Sequence, residues 1–235
     1  MYTLYTLREL GARKLYAIVP YMAYARQDER FKPGEVVSIR VLAELFKTID
    51  LDGLYTFDMH LHRISDPREL FGSRFYNLSA VKAIAEYLVG RNLVSRDTVV
   101  VGPDEEAEQW ASRLAGYLGG VEYTVLEKER ISDEEVRVTT KTGVSLAGKR
   151  VVIVDDIIST GGTMVETINL LKKLGAKEII VTCIHPVLAG NALYKIMRTN
   201  PLDIVCTDTI LSPVSKVSIA PLVRDYVLKA IMGTR

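Results

Sequence analysis

Several features that would announce a function at once are scarce in this chain. It has only two cysteines, Cys183 and Cys206. Each sits in an apolar, β-branched run, which reads as a buried core thiol. No cysteine–histidine cluster has the spacing of a metal site, so zinc modules are excluded. Few cysteines and no signal-peptide pattern make the cytoplasm the expected location. No uninterrupted apolar run is long enough to cross a bilayer, so no membrane association is expected. Neither sign of charge dominates: 30 basic against 29 acidic residues leave a net charge of +1. A broad basic face for nucleic acid is therefore not expected, although a local basic patch for phosphate remains open. Short-period repeats and low-complexity tracts are also missing. What is there is ordinary for a globular protein: 235 residues, 48% hydrophobic and 25% charged, enough for one large domain or two small ones.

Short apolar runs alternate with amphipathic stretches. The runs Lys14–Val19, Leu54–Phe57, Thr98–Val101, Glu122–Leu126, Arg150–Val154, Glu178–Cys183 and Ile204–Thr207 are predicted strands. The stretches Met1–Leu10, Val36–Thr48, Ala80–Arg91, Glu105–Leu118, Thr163–Leu174, Ala189–Thr199 and Leu222–Ile231 are predicted helices. The strands are rich in valine and isoleucine without clean alternation. That pattern predicts an α/β fold whose mostly parallel sheets are covered by helices. A boundary is expected near Phe75–Ser79, where Asn77-Leu-Ser79 reads as a helix cap, giving domains 1–77 and 78–235. The charged, weakly periodic segment Glu129–Gly143 reads as a mobile loop or a β-excursion. The chain starts inside a predicted helix with no residue to cap it, which reads either as a short amino terminus or as one lacking an upstream segment.

Ligands of such folds sit at the carboxyl ends of the strands. Polar residues do follow the apolar runs there: Asp58 and His60, Pro103 and Asp104, Asp155 and Asp156. The run VVIVDDIISTGGTM carries the most chemistry. Two adjacent carboxylates, Asp155 and Asp156, can accept both hydrogen bonds of a vicinal diol. They would repel a phosphate, so they belong at a sugar. Ser159, Thr160, Gly161, Gly162 and Thr163 then offer hydroxyls and open backbone N–H groups at the start of a helix, whose dipole favours an anion. Sugar and phosphate sites a few residues apart suit a ribose phosphate. The lysine that an ATP-type P-loop requires is missing. Upstream, a strand ends at Pro20 in PYMAYARQD, where Arg26 can pair with a phosphate, Gln27 can bond a base or phosphate, and the tyrosines can pack beside an adenine.

The loop Asp155–Thr163 resembles the phosphoribosyl diphosphate loop shared by phosphoribosyltransferases and ribose-phosphate diphosphokinases (phosphoribosyl pyrophosphate synthetases). The remaining motifs resemble the synthetases in family order. They are PYMAYARQD, Asp58-Met-His60, Gly102-Pro-Asp104, and Lys128-Glu-Arg130 before VVIVDD. The resemblance implies two phosphoribosyltransferase-type sheets, the first one incomplete. It implies an ATP-side domain ahead of a ribose-phosphate-binding domain. It implies transfer of the diphosphoryl group of ATP to the anomeric hydroxyl of ribose 5-phosphate, giving AMP and 5-phosphoribosyl 1-diphosphate. It places Arg26, Gln27 and His60 at ATP. Asp104, Asp155, Asp156, Ser159, Thr160, Gly161, Gly162 and Thr163 fall at ribose 5-phosphate. Lys128, Arg130 and His60 become catalytic, and His60 and Asp104 fall beside Mg2+. His62 is an extra histidine, read as solvated. Family members are homodimers or hexamers.

The chain departs from the family in three places. Synthetases carry further strands and a Phe-x-x-Gly-Glu-type segment upstream of the helix where this chain begins; Phe31-Lys-Pro-Gly-Glu35 is similar but comes after ARQD and belongs to another loop. Glu105-Glu-Ala-Glu108 stands where the family has small residues and then a basic one. Ser159 stands where many synthetases are acidic. A phosphoribosyltransferase and a non-catalytic, synthetase-related subunit therefore stay open as alternatives.

Overall fold

The computed structural model describes residues 1–30, 32–61, 64, 66–130 and 136–232. Phe31 and His62 lie outside the described residues, as does the 131–135 part of the predicted excursion. The chain divides into two compact units, Met1–Ser79 and Ala80–Arg235. Among the described residues no helix is long and apolar enough to cross a membrane.

The first unit runs α1 (Tyr2–Glu9), β1 (Tyr16–Ile18), α2 (Ser38–Lys47), β2 (Gly53–Phe57), α3 (Arg68–Phe71) and β3 (Phe75–Leu78). Its three strands form a parallel sheet in the order β1-β2-β3. β2 is buried along its whole length, as its unbroken apolar run implied. Helix α2 presents Ile39, Ala43 and Phe46 at helical spacing to a core that includes Leu15, Ala17, Leu54 and Phe75. The Asn77-Leu-Ser79 segment does not cap a helix. Residues 75–78 are a strand, and the Asn77 amide accepts a 3.0 Å hydrogen bond from the Met59 N–H. Helix α4 starts after Ala80 with no side-chain cap. A four-residue strand beside a turn carries too little periodicity to be recognised alone.

The second unit contains α4 (Val81–Gly90), β4 (Val99–Gly102), a 3-10 turn (Glu105–Ala107), α5 (Glu108–Tyr117), β5 (Glu122–Arg130), β6 (Val136–Thr140), β7 (Arg150–Ile158), α6 (Gly162–Lys173), β8 (Glu178–Pro186), α7 (Ala192–Met197), β9 (Asp203–Thr207), β10 (Ser215–Val217) and α8 (Ala220–Met232). The sheet order is β10-β9-β8-β7-β4-β5-β6, parallel except for β6. From β4 the chain moves to β5 on one side and returns to β7 on the other. That reversal is a switch point, and it opens a crevice beyond the carboxyl ends of β4 and β7.

The excursion is a β-hairpin, with β5 paired to β6 from Leu126↔Thr140 to Arg130↔Val136. Strand β7 does not stop at Val154. It continues through both aspartates because β8 is equally long and pairs Asp155 with Cys183, Ile157 with His185 and Ile158 with Pro186. Helix α7 starts at Ala192 rather than Ala189, because positive φ at Leu188 (48°) and Gly190 (59°) keeps the preceding residues out of a helix. The two cysteines face each other across β8 and β9 as buried thiols, Sγ to Sγ 3.3 Å.

Candidate functional site

The loop after β7 is the best-formed site. Successive strand residues face opposite sides of a sheet. Asp156 is accordingly buried at 3% exposure, while Asp155 remains partly open. The Asp156 N–H donates to Asp155 Oδ1 at 2.9 Å. Burial first, then the neighbouring carboxylates of Asp156 and Asp104, hold the Asp155 carboxyl well above the usual range. Thus Asp104 and Asp155 share one field although β4 and β7 are far apart in the chain.

From Ile158 the backbone turns toward α6. Gly161 has φ +76°, a left-handed conformation open to glycine. A Cβ there would lie 3.2 Å from the Cα, Cβ and carbonyl oxygen of Ala192. The loop rests on the segment after β8: Leu188 N–H donates to Ile158 O at 2.9 Å and Ala189 N–H to Ser159 O at 3.0 Å. Thr160, Gly162 and Thr163 are exposed. Helix α6 has no side-chain cap and no acidic residue in its first turn, so its amino-terminal N–H groups are left for an anion.

Asp104 lies two residues past the end of β4, and its carboxylate accepts from Ala107 N–H at 3.2 Å, capping the 3-10 turn. The glutamates beside it do not all stand free. Lys141, just past β6, pairs with Glu108 at 3.0 Å and with Glu105 at 3.6 Å. This ties the glutamate-rich turn to the base of the hairpin. A cleft of 1260 Å³ runs between these elements and α6, lined by Asp104, Glu127, Thr139, Thr163, Glu166 and Lys173. Lys128 and Arg130 lie two residues apart on β5; their side chains are outside the described residues.

The remaining candidates belong to the first unit. Arg26 is exposed and makes no hydrogen bond or ion pair to another described residue. Gln27 is engaged: its Oε1 accepts from Ser38 N–H at 2.6 Å and its Nε2 donates to Val36 O. Gln27 therefore fixes where α2 begins, a task the sequence did not reveal. At the end of β2, Asp58 is buried at φ +31°. Its carboxylate accepts from Ser79 Oγ at 2.9 Å, and its N–H donates to Leu78 O at 2.7 Å. The turn so held carries His60, which is half-buried. Among the described residues no group of three or more His, Cys, Asp or Glu is arranged to hold a metal. Of the two sequence-predicted metal residues, Asp104 belongs to the second unit and His60 to the first.

Residues 75–215 match the family model for the phosphoribosyl transferase domain, and residues 1–49 match that for the N-terminal domain of ribose phosphate pyrophosphokinase. The ribose-phosphate pyrophosphokinase of Methanopyrus kandleri is 43% identical over 227 residues, which cover 96% of this chain and 75% of that protein. The Pyrococcus furiosus ribose-phosphate pyrophosphokinase is 40% identical over 92% of this chain and 74% of its own length. Among solved structures, the phosphoribosylpyrophosphate synthetase of Mycobacterium smegmatis superposes with a TM-score of 0.85 at 29% identity. It covers 99% of this chain and 76% of that one.

Proposed function

Because the chain belongs to the ribose-phosphate pyrophosphokinase family, we propose that it transfers the diphosphoryl group of ATP to ribose 5-phosphate. The anomeric oxygen bonds to the β-phosphorus of ATP, and the bond from that phosphorus to the α–β bridging oxygen breaks. The anomeric hydroxyl gives up its proton to solvent, and AMP leaves with the bridging oxygen. The observation that carries the reading is the loop after β7, where two carboxylates precede an uncapped helix amino terminus.

Asp155, the more open of the acidic pair, meets the vicinal hydroxyls of the ribose, and the buried Asp156 steadies it with the backbone N–H given to Asp155 Oδ1. Ser159, Thr160, Gly161, Gly162 and Thr163 hold the 5-phosphate through hydroxyls and backbone N–H groups. Lys128 and Arg130 neutralise charge on the diphosphoryl group in flight. On the ATP side Arg26 pairs with phosphate, and Gln27 keeps a second amide hydrogen for the nucleotide beyond the one given to Val36. His60 stands at the triphosphate. The first unit is thus the ATP side and the second the ribose-phosphate side.

Mg2+ is the cofactor this reading calls for. Asp104 adds to the field that raises Asp155, so carboxylate charge gathers where a divalent cation would relieve it. A magnesium ion carried on nucleotide phosphates takes only one or two protein ligands; Asp104 in the second unit and His60 in the first are each a candidate for such a ligand. When bound, the ion would supply Lewis-acid polarisation of the phosphoryl oxygens. The active form is a homodimer or hexamer in the cytoplasm. The test is AMP formation from ATP, magnesium and ribose 5-phosphate, with each omitted in turn. AMP that depends on all three supports the reading. No AMP, or diphosphate release driven by an added nucleobase, refutes it.

A further inference from the structure

The loop after β7 has a back wall, and that wall is held by a histidine with no place in the transfer chemistry. His185 is buried at 1% exposure near the carboxyl end of β8, in register with Ile157 of β7. Its Nδ1 lies 2.9 Å from Thr209 Oγ1. The Thr209 hydroxyl donates to Ile184 O at 2.8 Å, and the buried Thr207 hydroxyl donates to the same carbonyl at 2.6 Å. The Thr207 oxygen accepts from Thr209 N–H at 3.2 Å. With the Thr209 proton directed to Ile184 O, its oxygen accepts and His185 Nδ1 donates. The imidazole therefore ties the end of β8 to the turn after β9 within a buried polar network, an arrangement that favours one geometry.

The residues just past His185 form the wall itself. Val187 N–H turns back to His185 O at 2.9 Å, and Leu188 and Ala189 donate to Ile158 and Ser159. Ala192 then lies against Gly161, so close that one added carbon would force it to give by a few tenths of an ångström. Residues 187–192 thus touch the loop at its start and at its glycine.

We infer that His185 is a positioning residue for the ribose 5-phosphate loop, acting through the segment 187–192 to set where the N–H groups of Gly161–Thr163 point. The inference rests on the assignment of that loop to ribose 5-phosphate. A hydrogen-bond array for phosphate tolerates little displacement, so the effect falls on the sugar phosphate and spares ATP.

The experiment measures ribose 5-phosphate binding by calorimetry, and KM for both substrates, on the full chain and three variants. His185→Leu removes the donor. His185→Asn keeps an N–H near the position of Nδ1. Ala192→Val pushes the same loop from behind. His185→Leu and Ala192→Val are expected to weaken ribose 5-phosphate binding about tenfold or more, with the ATP KM unchanged and most of the loss recovered in His185→Asn. A purely structural role would lower the active fraction without moving KM. Unchanged ribose 5-phosphate affinity in folded His185→Leu overturns the inference. Should that variant not fold, unchanged affinity in Ala192→Val overturns it equally. Wild-type protein that does not bind ribose 5-phosphate sinks the functional reading first and the inference with it. Wild-type that binds, beside variants that bind equally well, sinks the inference alone.

Discussion

Replacing Gly161 by alanine tests the loop geometry without touching a charge. An L-residue held at φ +76° carries a left-handed penalty of about 1–2 kcal/mol. The new methyl would meet Ala192 Cα, Cβ and O, all at 3.2 Å. Two of those atoms are backbone and cannot swing aside, so overpacking adds about 1–3 kcal/mol. The stiffer unfolded chain returns about 0.4–1 kcal/mol. The net destabilisation is about 3 kcal/mol, a fall of about 6–12 °C in the melting temperature of a unit this size. The lone tryptophan, Trp110, is buried in α5 of the same unit, so its fluorescence reports the transition. Gly162→Ala is the internal control: its φ is not positive and nothing lies within 4 Å of the added carbon. It should melt with the parent protein while obstructing the anion that approaches the exposed helix start. If Gly161→Ala melts like the parent, or Gly162→Ala falls by the same amount, the backing by Ala192 is not what the geometry says it is.

Three further outcomes are expected at the site and its supporting strands. Asp155→Asn should raise the melting temperature at neutral pH while ribose 5-phosphate binding is lost. The folded carboxyl is raised above its unfolded value, so the ionised native group costs stability at high pH. That cost disappears as pH falls through the folded pKa to the ordinary carboxylate range, and parent and variant should converge there on a pH series of melts. Lys128→Ala should slow AMP release by about a hundredfold or more with little change in ATP affinity; an equal loss in both would assign the lysine to ground-state binding. Cys183 and Cys206 should resist a thiol reagent in the native protein and react on unfolding. Both are fully buried, and burial pushes the Cys183 thiol well up. Rapid native labelling would contradict their placement.

The parts of the site legible in the sequence are those carried by short, contiguous signals. VVIVDDIISTGGT spelled out a buried strand, an acidic pair and an open helix start, and all three are in the structure. The illegible parts depend on pairing between distant segments. Strand β7 outlasts its apolar run because β8 continues beside it, so two aspartates sit in a ladder rather than after it. Gln27 shows its clamp on α2 only once Val36 and Ser38 are beside it. The glutamates at 105 and 108 have their cation in Lys141, more than thirty residues along the chain, which no local pattern reveals.

The same dependence explains why the proposed acceptor site is built on strands despite its polar content. Asp155 ionises at a cost that a solvated loop would not impose. A strand flanked by β4 and β8 cannot relax to release that cost. On the proposed reading the buried strand keeps Asp155 where a sugar's hydroxyls can meet it, and the segment 187–192 does the same for the glycine loop. Stability is given up locally and recovered in the apolar ladder below, where Val151 to Val154 are fully buried. The ligand then restores part of what the empty site gives up. Ribose 5-phosphate should therefore stabilise the parent protein by more than it stabilises Asp155→Asn at any concentration, as required of a ligand that binds only the folded state. Equal stabilisation of the two would show that Asp155 does not face the sugar.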